Sequence, residues 1–300
     1  MSAGSPARRP TRWLGAAMIA PAAAYVALLV GLPVLMSLFL SVSDARVGSE
    51  TISFAGLTNF RSALATPAFR VALRNSFLFT AASQALVVAG ATLLALALRE
   101  PFRGRGLLRL LVLLPWVAPI SLGAIGWKWL LDSLYSVVTW VLVALSLVSA
   151  SNPPMWLGEP RLAMLSVLLV HAWRTLPFAT MILLAGLSAI PRDIPEAAAV
   201  DGSGFWRTHF TITLPMIRPI LLVALLFGVV FTFTDMTAVY ILTRGGPADA
   251  TQVLPSLAFF TGILGGDLAQ GAAISLFLFP LLLAAAVALL RLARRAEDAS

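Results

Sequence analysis

A chain of 300 residues that is 59% hydrophobic and only 11% charged cannot be an ordinary soluble domain, which is roughly half apolar and about a quarter charged. Its net charge of +8 would suggest nucleic acid in a soluble protein, but here the arginines stand beside long apolar runs and mark a polytopic, all-α integral membrane protein. Having no cysteine, it can form neither a disulfide nor a thiolate metal site.

A spanning helix needs about 20 apolar residues. Arg8, Arg9 and Arg12 precede a run from Trp13 to Leu40 that is too long for the core of a signal peptide. It predicts a retained first span, 13–40, after a cytoplasmic tail, 1–12. The loop at about 41–75 contains a mixed stretch that predicts a surface-lying helix leading into the second span. Further spans are predicted at 76–98, 107–130, 162–189, 219–242 and 271–292, within a transmembrane domain of 13–293. Leu134–Ser149 is short and carries Ser and Thr, and reads as re-entrant or interfacial.

The basic residues test this assignment. Six spans place 13 arginines on the side of the N-terminus and 7 basic residues, including Lys128, on the other, with Arg174 inside a span. A crossing at 134–149 would leave 9 against 10, Lys128 and Arg174 set aside. The positive-inside bias therefore predicts six spans, both termini cytoplasmic and a short C-terminal tail, 294–300.

That topology puts the polar interruption at 190–218 in the cytoplasm. Asp193 and Glu196 have capping-box spacing, Pro195 suits a first helical turn, and Gly202 suits a left-handed helix end. Ser203 can cap a second short helix bearing Phe205, Trp206 and Phe210, and Pro215 and Pro219 break the chain before the next span. Two short helices joined by a glycine corner make a shape for docking onto another protein.

Inside the spans the polar residues are few. Asp235 lies about 15 residues, or about 23 Å, above the cytoplasmic end of the fifth span. His171 and Arg174 stand one turn apart on the fourth and share a face, and Trp173 offers a ring that can stack on a sugar. Intramembrane ionisable groups line a substrate path or hold helices together, and both readings stand for His171, Trp173, Arg174 and Asp235. Ser83, Gln84, Thr232 and Thr234 read as cross-helix or helix-backbone hydrogen bonds. Gly245-Gly246 reads as a turn. There is no Gly-x-x-x-x-Gly-Lys-Ser/Thr and no His-Glu-x-x-His, which argues against an ATP site, a zinc site and an enzyme in this chain.

The cytoplasmic segment resembles the signature of bacterial binding-protein-dependent ABC importer permeases: Glu196-Ala197-Ala198, Asp201-Gly202 and Ile212-Thr-Leu214-Pro215. Trp173-Arg174-Thr-Leu-Pro177-Phe178, Leu184-Ala-Gly-Leu187, Leu242-Thr-Arg-Gly245-Gly246-Pro247 with Thr251, Gly56-Leu57-Thr-Asn59-Phe60 and Asn75-Ser76 extend the resemblance to the carbohydrate-uptake subgroup, over nearly the whole chain. Arg174, where Lys is common, and Arg244, where a small residue is common, depart from the pattern. The resemblance implies a type I ABC importer permease fold with a cytoplasmic coupling helix, in a bacterial plasma membrane. It implies a second, homologous permease as heterodimer partner, a cytoplasmic ATPase dimer that holds the ATP and Mg, and an extracytoplasmic binding protein that delivers a sugar. It assigns ATPase docking to Glu196, Ala197, Ala198, Asp201 and Gly202, and to Phe205 and Trp206 unless they, with Phe210, anchor the second short helix at the lipid interface. An ion-coupled secondary transporter or channel subunit is the alternative, weakened by the lack of an internal repeat. A membrane-embedded enzyme would have to draw its catalytic groups from around Arg174 and Asp235.

Overall fold

The computed structural model describes residues 12–297. Residues 1–11 and 298–300, most of the two expected tails and with them Arg8 and Arg9, lie outside the described residues. Within them the regular structure is helical, apart from an isolated bridge between Ser43 and Phe54.

The first apolar run is α1 (Arg12–Val26), a π-turn (Ala27–Gly31) and α2 (Leu32–Ser41). No residue in its most apolar stretch is buried, and Tyr25, Leu28, Leu35 and Phe39 are all exposed. Asn59 ties its end down, donating to the carbonyls of Ser41 at 2.9 Å and Ser43 at 2.7 Å. The short surface helix expected in the first loop is α3 (Thr58–Ala65). α4 (Pro67–Arg99) begins nine residues before the expected span. At 33 residues it is about 50 Å long, more than the hydrocarbon core requires.

The third apolar stretch differs from the expected single span. It is two helices, α5 (Arg105–Val117) and α6 (Ile120–Leu130), bent by 93°. Pro119 is the cause: its ring forces the preceding residue out of helical geometry, and Ala118 is extended, at φ −62° and ψ 143°. Only Val137–Ala144 of the 134–149 stretch is helical (α7), capped where the Ser136 hydroxyl accepts from the Thr139 N–H at 3.0 Å.

α8 (Pro160–Ala189) follows, then α9 (Asp193–Val200) and α10 (Phe205–Thr208), which continues through a π-turn (His209–Thr213) into α11 (Leu214–Met216). The fifth stretch is also broken, into α12 (Arg218–Thr234) and α13 (Thr237–Leu242), with Asp235 extended at the break. A region read only as turn and loop holds α14 (Leu254–Phe259), prolonged by a π-turn to Leu264. α15 (Leu268–Leu276) and α16 (Leu278–Glu297) complete the chain. By length and composition five runs can cross a membrane, or six if α5–α6 counts as one.

α4 and α8 form the most extensive helix pair. Ala91, Ala95, Ala172 and Ala179 lie in their shared core with Leu98, Leu183 and Leu187; small residues let the backbones approach. A second core joins α6, α8 and α13 through Ala124, Val167 and Val239, and a third joins α3, α4, α14 and α15 through Ala63, Phe69, Leu254 and Ile274. Residues conspicuous in the sequence hold these together. Asn75 donates to the carbonyls of Ala250 and Gln252 at 2.9 and 3.1 Å, and Ser76 accepts from the Leu254 N–H at 2.8 Å. At Gly271 a Cβ would lie 2.8 Å from the Gly262 nitrogen and 2.9 Å from the Ala258 oxygen, so glycine is required where α15 crosses that π-turn.

Candidate functional site

Two groups of polar residues stand out, one at the 190–218 interruption and one among the spans. α9 starts at Asp193 with Arg192 in the N-cap position and no side-chain cap. The capping-box pairing of Asp193 and Glu196 is therefore not formed, because Asp193 is already helical. Pro195 sits in the first turn as expected. At the other end Gly202 is left-handed, at φ +78°. Its N–H donates to Ala199 at 3.0 Å and the Ser203 N–H to Ala198 at 2.9 Å, the two bonds of a Schellman ending. Ser203 does not cap the next helix. Gly204 takes that position, and the Ser203 hydroxyl accepts from Thr208 at 3.0 Å.

Glu196, Ala197, Asp201 and Gly202 are exposed, and Val200 is 88% exposed. Positions 197, 200 and 201 share a face at helical spacing. Ala198 is turned about a quarter-turn away and is buried, at 7% exposure, so it supports the outer face from beneath and is not part of it. Phe205, Trp206 and Phe210 continue the exposed apolar surface, with Trp206 stacked on Phe210 at 6.0 Å. His209 between them is buried, and its Nδ1 has no partner. Burial pushes its pKa below the ordinary value of 6.5.

The second group lies where α4, α8 and α12 meet. Gln84 Nε2 donates to Thr232 Oγ1 at 2.8 Å. His171 Nε2 stands 2.9 Å from the same oxygen, and His171 Nδ1 stands 3.2 Å from Asp235 Oδ2. An ionised carboxylate can only accept, so the proton on Nδ1 goes to Asp235; the Thr232 hydroxyl, with one proton and two lone pairs, can meet Nε2 as donor or as acceptor while it accepts from Gln84. Arg174 Nη1 donates to the same Asp235 oxygen at 3.1 Å, and the Thr237 N–H donates to Oδ1 at 2.8 Å. Asp235 thus closes the break in the fifth stretch as it joins α8.

His171 is 1% exposed with both ring nitrogens occupied, so it holds helices together and is closed to a solute. Asp235 is mostly buried; Arg174 is the more open member, with 29% of its side chain exposed. Trp173 packs edge-to-face on Trp127 at 5.6 Å and against Gly123. The space beside these groups in one subunit holds about 10 Å³, roughly one water and no sugar. Sequence reasoning brought Gln84 and Thr232 no further than general cross-helix bonding and missed Trp116, whose ring lies 6.0 Å from the Arg174 guanidinium and stacks on Phe178 at 4.8 Å. The one available signal was that an arginine within a span needs company. Among the described residues no three His, Cys, Asp or Glu side chains gather as a metal site would need.

Comparison with known proteins gives a consistent result. The family model described as binding-protein-dependent transport system inner membrane component matches residues 88–298. The trehalose/maltose transport system permease protein MalF of Thermococcus litoralis is 34% identical, over 95% of this chain and 95% of that one. The sulfoquinovosyl glycerol transport system permease protein SmoG of Agrobacterium fabrum is 30% identical, over 95% and 94%. The crystal structure of a bacterial alginate ABC transporter, in complex with an alginate pentasaccharide-bound periplasmic protein, contains a chain that superposes with a TM-score of 0.77 at 21% identity, over 94% of each; that likeness concerns the fold.

Proposed function

The chain belongs to the binding-protein-dependent transport system inner membrane component family, and from that membership we propose that it is the permease subunit of an ATP-driven importer for a sugar or sugar derivative. It is a transport subunit, and hydrolysis of ATP is the work of a separate partner. The sugar class rests on similarity along nearly the full length to permeases for trehalose/maltose and sulfoquinovosyl glycerol.

The observation that carries the mechanism is the exposed α9 with its rigid Schellman ending. Glu196, Ala197, Asp201 and Gly202, with Phe205 and Trp206, form the surface on which the ATPase docks in the cytoplasm. Ala197 lets a partner approach closely, Glu196 offers a carboxylate to a basic group, and buried Ala198 keeps α9 seated on the bundle. ATPase closure moves α9, the motion passes through α11 and α12 to the spans, and the path opens alternately to either side. A second, homologous permease supplies the other wall. The apolar run of α1 and α2, unburied in the single subunit, supports such a partner. Arg174, positioned by Asp235, and Trp173, packed on Trp127, line the shared path, and an external binding protein delivers the sugar on the side away from α9. Both termini are cytoplasmic in this arrangement.

Glu196→Lys tests the docking assignment. The variant should insert normally and lose co-purification of the ATPase. An ATPase that still assembles with the variant and hydrolyses in step with transport would remove Glu196 from the docking surface.

A further inference from the structure

The cytoplasmic ends of α4, α5 and α8 do not close against α9. Between them and the polar segment lies a cavity of about 750 Å³, a size that takes a small ligand or a lipid headgroup. Arg99, Arg105, Arg109 and Arg192 all line it. Glu100 and Glu196 line it too, yet none of the four arginines forms an ion pair among the described residues. The known bonds of three of them go to helix-end and loop carbonyls: Arg99 to Ile190 at 3.4 Å, Arg105 to Arg99 at 3.4 Å and Arg109 to Leu98 at 3.1 Å. Each guanidinium has five N–H donors, so most of their capacity is unused.

Two further observations point to a missing anion. Buried polar atoms are normally hydrogen-bonded, but two in the cavity wall are not: His209 Nδ1, on a residue only 4% exposed, and Arg109 Nε. The N-terminus of α5 also opens at this place with Gly104 as its cap residue and no capping side chain. Its first residue, Arg105, lines the cavity and donates its N–H to Phe102 at 3.4 Å; the positive end of this 13-residue helix favours an anion nearby. Planar guanidinium forks are suited to phosphate oxygens.

We propose that this cavity, between α9 and the cytoplasmic ends of α4 and α5, is a binding site for a phosphate-bearing anion. The phosphate belongs either to the headgroup of an anionic lipid or to a soluble phosphate compound. The ligand wedges between α9 and the helices that α9 would move, so its presence sets how firmly the two are joined. The site shares Glu196 and Phe205 with the proposed docking surface, but the arginines that would hold the phosphate are not part of that surface.

The test uses the purified, intact transporter, with phosphatidylglycerol, phosphatidylcholine and inorganic phosphate as probes. Native mass spectrometry reports lipid retained through delipidation. A thermal-stability titration at constant ionic strength, with chloride as control, reports free phosphate. The expected result is preferential retention of phosphatidylglycerol over phosphatidylcholine, or saturable stabilisation by phosphate; the first identifies a headgroup and the second a soluble ligand. Arg105→Gln/Arg192→Gln should weaken whichever is seen by about tenfold or more, the scale of one or two charged hydrogen bonds. Arg192→Gln alone removes an exposed side chain with no hydrogen bond among the described residues. It keeps the test open if the double variant folds poorly, and should act in the same direction. Arg103→Gln, exposed and outside the cavity, should change nothing. The proposal fails if neither probe binds preferentially, if the cavity variants bind as the wild type does, or if Arg103→Gln is as damaging. It fails also if the wild type binds no phosphate and the cavity variants shed the ATPase instead, which would make the occupant an acidic group of a protein partner. Because binding is read without reference to ATP hydrolysis, a failure here and a failure of Glu196→Lys remain distinguishable.

Discussion

Gly202→Ala isolates the geometry of the glycine corner from its chemistry. A Cβ at Gly202 meets nothing within 4 Å, and the same holds at Gly204 two residues on. The two sites differ in backbone alone: φ is +78° at Gly202 and −68° at Gly204. Left-handed geometry costs an alanine about 1–2 kcal/mol, which is about a 5- to 30-fold fall in the equilibrium constant for the Schellman turn. Apparent affinity for a partner that needs that turn falls with the fraction that holds it, by up to the same factor. Titration of the purified ATPase onto the permease in nanodiscs should show this loss for Gly202→Ala. Gly204→Ala should stay within about twofold, the range of an unstrained surface change. Gly202→Asn should fall between, since asparagine tolerates the left-handed region. Equal weakening at both glycines, or wild-type binding by Gly202→Ala, would falsify the claim that the corner's backbone presents the docking face.

The remaining predictions concern stability and the intramembrane cluster. Asp235→Asn should lower the detergent melting temperature by leaving Arg174 and His171 without their shared carboxylate, at about 1–3 kcal/mol; Arg174→Gln/Asp235→Asn should lose less than the two single changes added, and strict additivity would show the pair to be uncoupled. Gly271→Ala should be among the most damaging single-methyl changes, about 3 kcal/mol, since the obstructing atoms are backbone and cannot rotate away; size-exclusion profiles after heating would show it. His209 has its pKa lowered by burial, so the unfolded chain binds the proton more readily than the folded one, and stability rises with pH there. Melting temperature should therefore drop as pH falls through 6.5 and below. His209→Gln should remove that part of the slope, and an unchanged slope would show His209 to be uninvolved.

Much of this was legible in the sequence, and the parts that were not share a cause. Hydropathy located the apolar runs because a membrane demands continuous apolar length. It could not show that Pro119 turns α5 from α6 by 93°, since the same residues would serve a straight or kinked helix. α14 was read as loop because 254–264 is too short to span and sits in a segment with strong turn signals. Local chemistry around Gly202 was readable, as a glycine C-cap depends on neighbours in sequence. The Asp193 cap was not, because which residue becomes N-cap depends on how the chain leaves α8. The partners of His171 lie 61 and 64 positions away, and no spacing rule reaches that far. The face of α9 that Ala198 occupies was likewise settled only by packing.

The break at Asp235 divides the molecule by depth. Below it, α12 packs chiefly on α16, α4 and α8; above it, α13 packs chiefly on α6. One apolar stretch therefore packs on two different sets of neighbours, with α8 common to both. Between the two helices lie Asp235 and Met236, and the Asp235 carboxylate ties the start of α13 to α8. Spin labels on α12 and α13 would behave as labels on separate parts, their distance changing during the transport cycle, while a pair within either helix stayed fixed.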